Sequence, residues 1–388
     1  MAAGGKALTG APAASETLLR RVAPLLRWRY PLLVVVAFAF SVQHLRGTGD
    51  DWRWFVLGSE LLFGVHHPYS ALRGGLHLYA NYPEVQIGPL SLLLATPFRL
   101  LGRTDGRIVV SLLLTALAPA FVYLLERTAR TVWPDADRRL VSVTVLLGGL
   151  VVAQAWSPLV TIYARLDDAL LLGVLALALW AVAARRPWLV GAALGVGMAL
   201  KPWGIIGLPL ILALPRRCRL RATAIAGVIT VVAWIPFVLA DSSTLSAVRP
   251  QALTSPASVL GLFGVPFGDA PLWVRPVQFG AALVLGSVAV ARGRWAAVPL
   301  LGIALRIGLD PEVWLYYSSG LLLAALAWDL LRSPRPLPVW TFAGFVLLDV
   351  AYVSVGSDHQ RAGLRLAIAA AVVAGVVLAP RSRPAEVA

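Results

Sequence analysis

The chain has 388 residues, 59% of them apolar and only 14% charged. Soluble domains carry roughly a quarter of their residues as charge, so this composition excludes an ordinary soluble fold. The net charge is +15, but its basic residues sit in short clusters between apolar runs, which points to membrane orientation and away from nucleic acid as a partner.

In chain order, the Ala/Gly-rich start falls in a cytoplasmic N-terminal stretch, 1–25, expected to be disordered. No small-residue cleavage site follows the first apolar run, so that run is read as a retained helix at about 30–45. Arg20, Arg21, Arg27 and Arg29 precede it and place its start in the cytoplasm. Later spans are expected at about 108–125, 140–157, 168–184, 188–200, 202–214, 222–239, 273–290, 295–308, 315–331, 338–353 and 363–379. With the first they make about twelve transmembrane helices in a single polytopic domain, 26–380, followed by a cytoplasmic tail, 381–388. Both termini are then cytoplasmic, and the clusters at Arg127–Arg139, Arg185–Arg186, Arg216–Arg221, Arg292–Arg294 and Arg332–Arg335 all face inward. Cys218, the sole cysteine, lies in one of them, so no intrachain disulfide is open to the chain.

One further apolar run, 86–101, would invert every later cluster if it crossed. Gly88, Pro89 and Pro97 interrupt it, so it is read as an interfacial or re-entrant helix in a long first outer loop, 46–107. Lys201–Pro202 breaks the run 188–214 in the middle. A lysine in apolar sequence is costly unless it meets water, an anion or a partner, so two short helices are expected to meet at the outer face with Lys201 at the junction. The same scheme puts Asp50, Asp51, Glu84, Asp167, Asp168, Asp310 and Glu312 outside.

Four outer segments carry candidate chemistry. Asp50 and Asp51 open an amphipathic segment, where a carboxylate can act as general base on a hydroxyl or can simply cap the helix. Asp167 and Asp168 open a span with Arg165 just before them, as a site or as a cap with a local ion pair. Lys201 can hold a phosphate as a point charge or can snorkel to the interface, with Trp203 as an anchor. Tyr79, Tyr82 and Glu84 join aromatic rings and a carboxylate, as sugar sites do and as membrane interfaces also do. His66, His67 and His77 share that loop, but no ligand spacing compels a metal, and no metal ligand is assigned. "LDPEVWLYY", Leu309 to Tyr317, is a further polar outer loop.

The segments "GSELLFGVHHPY", "YANYPEVQIGPLSLLLATP", "RLDDALLLG" and "GVGMALKPW", after an Asp pair that follows the first span, resemble the GT-C superfamily of membrane glycosyltransferases. The likeness is nearest to bacterial polyprenyl-phosphate-mannose-dependent mannosyltransferases of the phosphatidylinositol mannoside and lipoarabinomannan type, and runs from about 30 to 215. It implies an all-α GT-C-like membrane fold with interfacial helices in the first outer loop. It also implies inverting transfer of a sugar, mannose by this resemblance, from a polyprenyl-phosphate donor to a lipid-linked or cell-envelope glycan acceptor, on the outer face of the plasma membrane. Asp51, four residues before Phe55, fits the family's base better than Asp50. Lys201, Arg53 and Arg165 become donor-phosphate residues, and Asp167, Asp168, Tyr69, Tyr82 and Glu84 substrate-binding residues. Phe55 replaces the family's usual Tyr, and Glu84 stands where a second Pro is common. No cofactor is assigned, and a divalent metal is left open. A transporter or lipid flippase is the alternative, expected to show internal repeats and mid-membrane charges. Another membrane transferase or an assembly subunit would follow it.

Overall fold

In a computed structural model of the chain, residues 24–45, 49, 51–64, 74–248 and 252–378 are described. Asp50, Tyr69, His66, His67, most of the N-terminal stretch and the 381–388 tail, all named above, lie outside them. Every apolar run read from the sequence is helical. The main helices are α1 (Arg29–His44), α2 (Trp52–Leu62), α3 (Pro89–Arg99), α4 (Arg103–Val132), α5 (Arg138–Ser157), α6 (Leu166–Ala183) and α7 (Pro187–Leu200). A 3-10 helix, Pro202–Ala213, follows, then α8 (Arg216–Ala240), α9 (Val274–Ala291), α10 (Val298–Leu309), α11 (Tyr317–Arg332), α12 (Val339–Phe345) and α13 (Asp358–Val377). Among the described residues, β-structure is limited to an isolated bridge between Leu253 and Asp269.

Among the described residues, six helices are long and apolar enough to cross a membrane: α4, α5 with its extension to Ile162, α6, α8, α9 and α13. Pro187–Leu200, Pro202–Ala213, Trp295–Leu309 and Val339–Ser354 are apolar but shorter. The outer faces suit lipid. On α8, Val228, Val231, Val232, Ile235 and Leu239 form an exposed apolar stripe, which water would not tolerate at that extent. The inner face of α8 packs by small residues, the device that lets helices approach without a hydrophobic drive. A Cβ on Gly191 of α7 would stand 2.4 Å from the Ala222 carbonyl oxygen of α8.

The break at Lys201 folds the chain into a helical hairpin. Lys201 is extended (φ −160°, ψ 134°) and Pro202 begins the 3-10 helix without an N–H to donate. Gly204 lies against Gly197, and Gly207 against Leu194, a pairing that only an antiparallel return produces. The first outer loop docks on this hairpin's tip. Helix α3, at 11 residues, rises about 16 Å and is too short to cross a hydrocarbon core. Its N-terminus meets the end of α7 instead: Gly88 N–H donates to the Leu200 carbonyl at 3.0 Å, and Ser91 Oγ donates to the same oxygen at 2.9 Å. A carbonyl orphaned by the helix break is thereby satisfied. At the other end of the bundle, buried Glu126 of α4 accepts from both Arg29 Nε and Arg29 Nη2 at 2.9 and 2.8 Å and pairs with Arg130, tying α4 to α1.

Candidate active site

Five separate stretches, around Asp51, residues 165–168, Lys201, Arg275 and residues 306–310, bring their charges together in one chain of ion pairs. Asp51 is the residue before α2, and no side-chain cap bond engages it. Its Oδ2 accepts from Arg165 Nε at 2.7 Å instead. Arg165 reaches it because the chain departs from regular helix after α5: a π-helical turn, Pro158–Ile162, is followed by Ala164 at φ 51°, a left-handed conformation in a buried non-glycine residue. Backbone outliers of this kind persist where the surroundings impose them, often at functional sites. The local ion pair between Arg165 and its sequence neighbours Asp167 and Asp168, one of the two readings of this segment, is not formed as a direct contact, since the turn delivers the guanidinium to Asp51.

Asp167 and Asp168, in the first turn of α6, face the hairpin. Lys201 Nζ stands 2.8 Å from Asp167 Oδ2 and 2.5 Å from Asp168 Oδ2. All three side chains are buried. A buried lysine between two carboxylates is the partner that the sequence demanded for it, and it makes Lys201 a clamp on the acidic pair. The other Asp168 oxygen, Oδ1, accepts from Arg306 Nη1 at 2.9 Å. Arg306 Nε has no hydrogen-bond partner and lies 3.6 Å from Asp310 Oδ2. Asp310 pairs with Arg275 at 3.2 Å. Beside this chain of ion pairs lies a crevice lined by Asp168, Arg306, Leu171, Leu172, Ile303 and the rings of Trp203, Tyr316 and Tyr317, among others. A second, wholly apolar cavity shares Leu172, Leu175 and Ile303 with it and continues to Leu179 and Ala327.

Burial raises the Asp51 carboxyl above the ordinary carboxylate range, Arg165 opposes that rise, and the nearby Asp167 charge adds to it. Among the described residues, no group of three or more His, Cys, Asp or Glu side chains is arranged to hold a metal ion. The Asp51, Asp167 and Asp168 carboxylates are paired with Arg165, Lys201 and Arg306.

The family model for glycosyltransferase family 87 matches residues 88–308, more than half of the chain. The chain belongs to glycosyltransferase family 87. No curated protein and no solved structure matches it. The family 87 match takes in Arg165, Asp167, Asp168, Lys201, Arg275 and Arg306, and begins after Asp51.

In this family 87 chain the other residues singled out from sequence have different settings. Arg53 is exposed and lies against the ring of Trp54, 5.2 Å from its centroid, outside the ion-pair chain. Glu84 is exposed, and Tyr82 is buried within the first outer loop. Tyr79 is a packing residue: its ring meets Trp234 and Phe237, and its hydroxyl donates to the Ile87 carbonyl at 2.7 Å. His77 pairs loosely with Asp241 at 3.6 Å. Arg275 and Arg306 were not anticipated. Their sequence signal is the one that marked Lys201, a charge inside an apolar stretch, but the inward bias of arginine drew attention to clusters and away from single residues.

Proposed function

We propose that this family 87 glycosyltransferase moves a sugar, mannose by its resemblance, from a polyprenyl-phosphate donor to the hydroxyl of a lipid-linked or envelope-glycan acceptor, with inversion, on the outer face of the plasma membrane. The observation that carries this reading is the convergence of Asp51 with the Asp167–Asp168–Lys201 clamp, beside an apolar crevice that ends on Arg306. A hydroxyl must lose a proton as it attacks, and a buried carboxylate of raised pKa is suited to take it. Asp51 has Oδ2 held by Arg165, and Oδ1 takes the proton. The acceptor oxygen bonds to the anomeric carbon from one face. The bond from that carbon to the phosphate oxygen breaks on the other, and its electron pair leaves with the phosphate.

That departing charge needs fixed donors in a water-poor site. Lys201 is engaged by two carboxylates, so its part is to hold Asp167 and Asp168 in place for the sugar or acceptor. Arg306 lines the crevice, with an unpartnered Nε and its guanidinium against the rings of Trp203 and Tyr317. It is the better placed of the two for the phosphate, and Arg165 stands beside the base. The apolar track from Leu171 to Leu179 along α6 spans about 12 Å and offers an isoprenoid chain a path away from its phosphate. About twelve spans, cytoplasmic termini and outward-facing acids complete the proposal.

The test is donor choice. The purified chain is given polyprenyl-phosphate mannose, other polyprenyl-phosphate sugars and nucleotide sugars, with lipid glycan acceptors. Transfer from a polyprenyl-phosphate sugar alone is expected. Transfer from nucleotide sugars alone would overturn the donor assignment.

A further inference from the structure

The loop from Asp310 to Tyr317 holds a group of side chains that the mechanism above leaves unused. Trp314 and Tyr163 are half-buried, and their rings meet edge to face at 5.7 Å between centroids. Both pack on Tyr316, Tyr163 at 5.0 Å and Trp314 in a stacked arrangement at 6.2 Å. Tyr316 lines the crevice and Tyr163 and Trp314 do not. Arg165, the partner of Asp51, lies with its guanidinium carbon 5.4 Å from the Tyr316 ring centroid. The aromatic group is thus linked to the proposed base through the Tyr316 ring and the Arg165 guanidinium.

A carboxylate completes it. Glu312 Oε2 accepts from the indole Nε1 of Trp314 at 2.8 Å, which orients both side chains. The loop beneath is pinned: Glu312 N–H donates to Asp310 Oδ1 at 3.1 Å, and the Glu312 carbonyl accepts from Arg365 Nη2 at 3.4 Å. Burial also raises the Glu312 carboxyl above its ordinary range. A half-open indole offers an apolar face to ring C–H groups, and a fixed carboxyl beside it offers hydrogen bonds to neighbouring hydroxyls. A pyranose presents both on one side. Few polar groups, converging on an apolar surface and held in advance, are the usual form of a small-molecule site.

We infer that Tyr163, Glu312 and Trp314 form a carbohydrate subsite that holds the pyranose ring of the acceptor next to Asp51. The assignment rests on the glycosyltransferase reading of the Asp51 site and adds to it the side chains that hold the acceptor, whose pyranose ring stacks on Trp314. If the rings serve only as an anchor at the membrane–water boundary, as tryptophan and tyrosine commonly do, no sugar will bind there.

The test uses the full chain in lipid nanodiscs, free of alkyl-glycoside detergent. Saturation-transfer NMR is recorded with methyl α-D-mannopyranoside and methyl α-D-glucopyranoside. Wild type is expected to saturate the ring C–H protons of at least one. Trp314→Ala is expected to weaken that binding about tenfold or more, as loss of a central aromatic anchor does. Trp314→Phe should restore most of it, and Glu312→Gln should weaken it while leaving the ring contact. In the transfer assay Trp314→Ala should raise the acceptor KM and leave the donor KM unchanged. Absence of pyranoside binding to wild type, or equal binding by a folded Trp314→Ala, would overturn the subsite. Sugar binding lost in Trp314→Ala, without transfer from any donor, would keep the subsite and sink the transfer reaction. Transfer with an acceptor KM indifferent to Trp314→Ala would do the reverse.

Discussion

At the scale of single residues, the site is governed by the cost of burying charge. Asp51, Asp167, Asp168 and Lys201 are all at most 6% exposed, and each has an opposite charge within 3 Å. Such groups are tolerated only in company, and removing one partner leaves the other stranded. The pairing of Asp51 with Arg165 also sets the pH at which the proposed base works. Burial raises the Asp51 pKa and Arg165 lowers it. A base acts when ionised, so kcat/KM should fall on the acid side through a pKa above the ordinary carboxylate range. Without Arg165 the opposing influence is lost, and the limb moves further up. Arg165→Gln is therefore expected to shift the acid limb of the pH–rate profile to higher pH, and a limb that stays or moves down would remove Asp51 as the titrating base. The preference for Asp51 over Asp50 rests on the resemblance, through its spacing to Phe55, Gly64, Pro68 and Tyr69. That Arg165 serves Asp51, and not its neighbours Asp167 and Asp168, was not legible in the sequence, because a π-turn and a left-handed alanine between Ser157 and Arg165 redirect it, and local sequence does not advertise such turns.

At the scale of elements, the site is held by the hairpin at Lys201 and the loop helix docked on it. The lysine and proline inside an apolar run announced the break, and Gly88 and the prolines of 86–101 announced a short, interrupted helix. What they did not announce is that the two meet. The Leu200 carbonyl, left over by the break, takes its hydrogen bonds from Gly88 and Ser91. Gly88 is required there by space, since a Cβ would lie 2.3 Å from the Ala199 carbonyl oxygen. Gly88→Val is thus expected to cost about 1–3 kcal/mol, the range for overpacking, and to reduce transfer by moving the first outer loop off the hairpin. Denaturation midpoint and activity read the two effects, and a Gly88→Val protein with unchanged stability and rate would show that the contact does not hold the site. Arg306 belongs to the same lesson: it lies in α10, far along the chain from Asp168, and only the packing of helices makes them partners.

At the scale of the molecule, an all-helical fold with lipid-suited faces was legible from composition and run length, and each apolar run is a helix. The number that cross is a separate matter, since six of the described helices are long enough alone and the half-length pair at Lys201 folds back on itself. Sidedness can be read without engineering, because Cys218 is the sole cysteine and lies in the basic start of α8. An impermeant maleimide should label it in inside-out vesicles and not in intact cells. Labelling from outside would contradict the proposed topology, either by inverting the whole chain or by making 86–101 a further span. The central claim is transfer of a sugar with Asp51 as base, and its most direct measurement compares wild type with Asp51→Asn in transfer from polyprenyl-phosphate mannose to a lipid glycan acceptor, both proteins shown to be folded. The account predicts a loss of about 10²–10⁴-fold in kcat, the range for removal of a general base. A variant that transfers at the wild-type rate would contradict it.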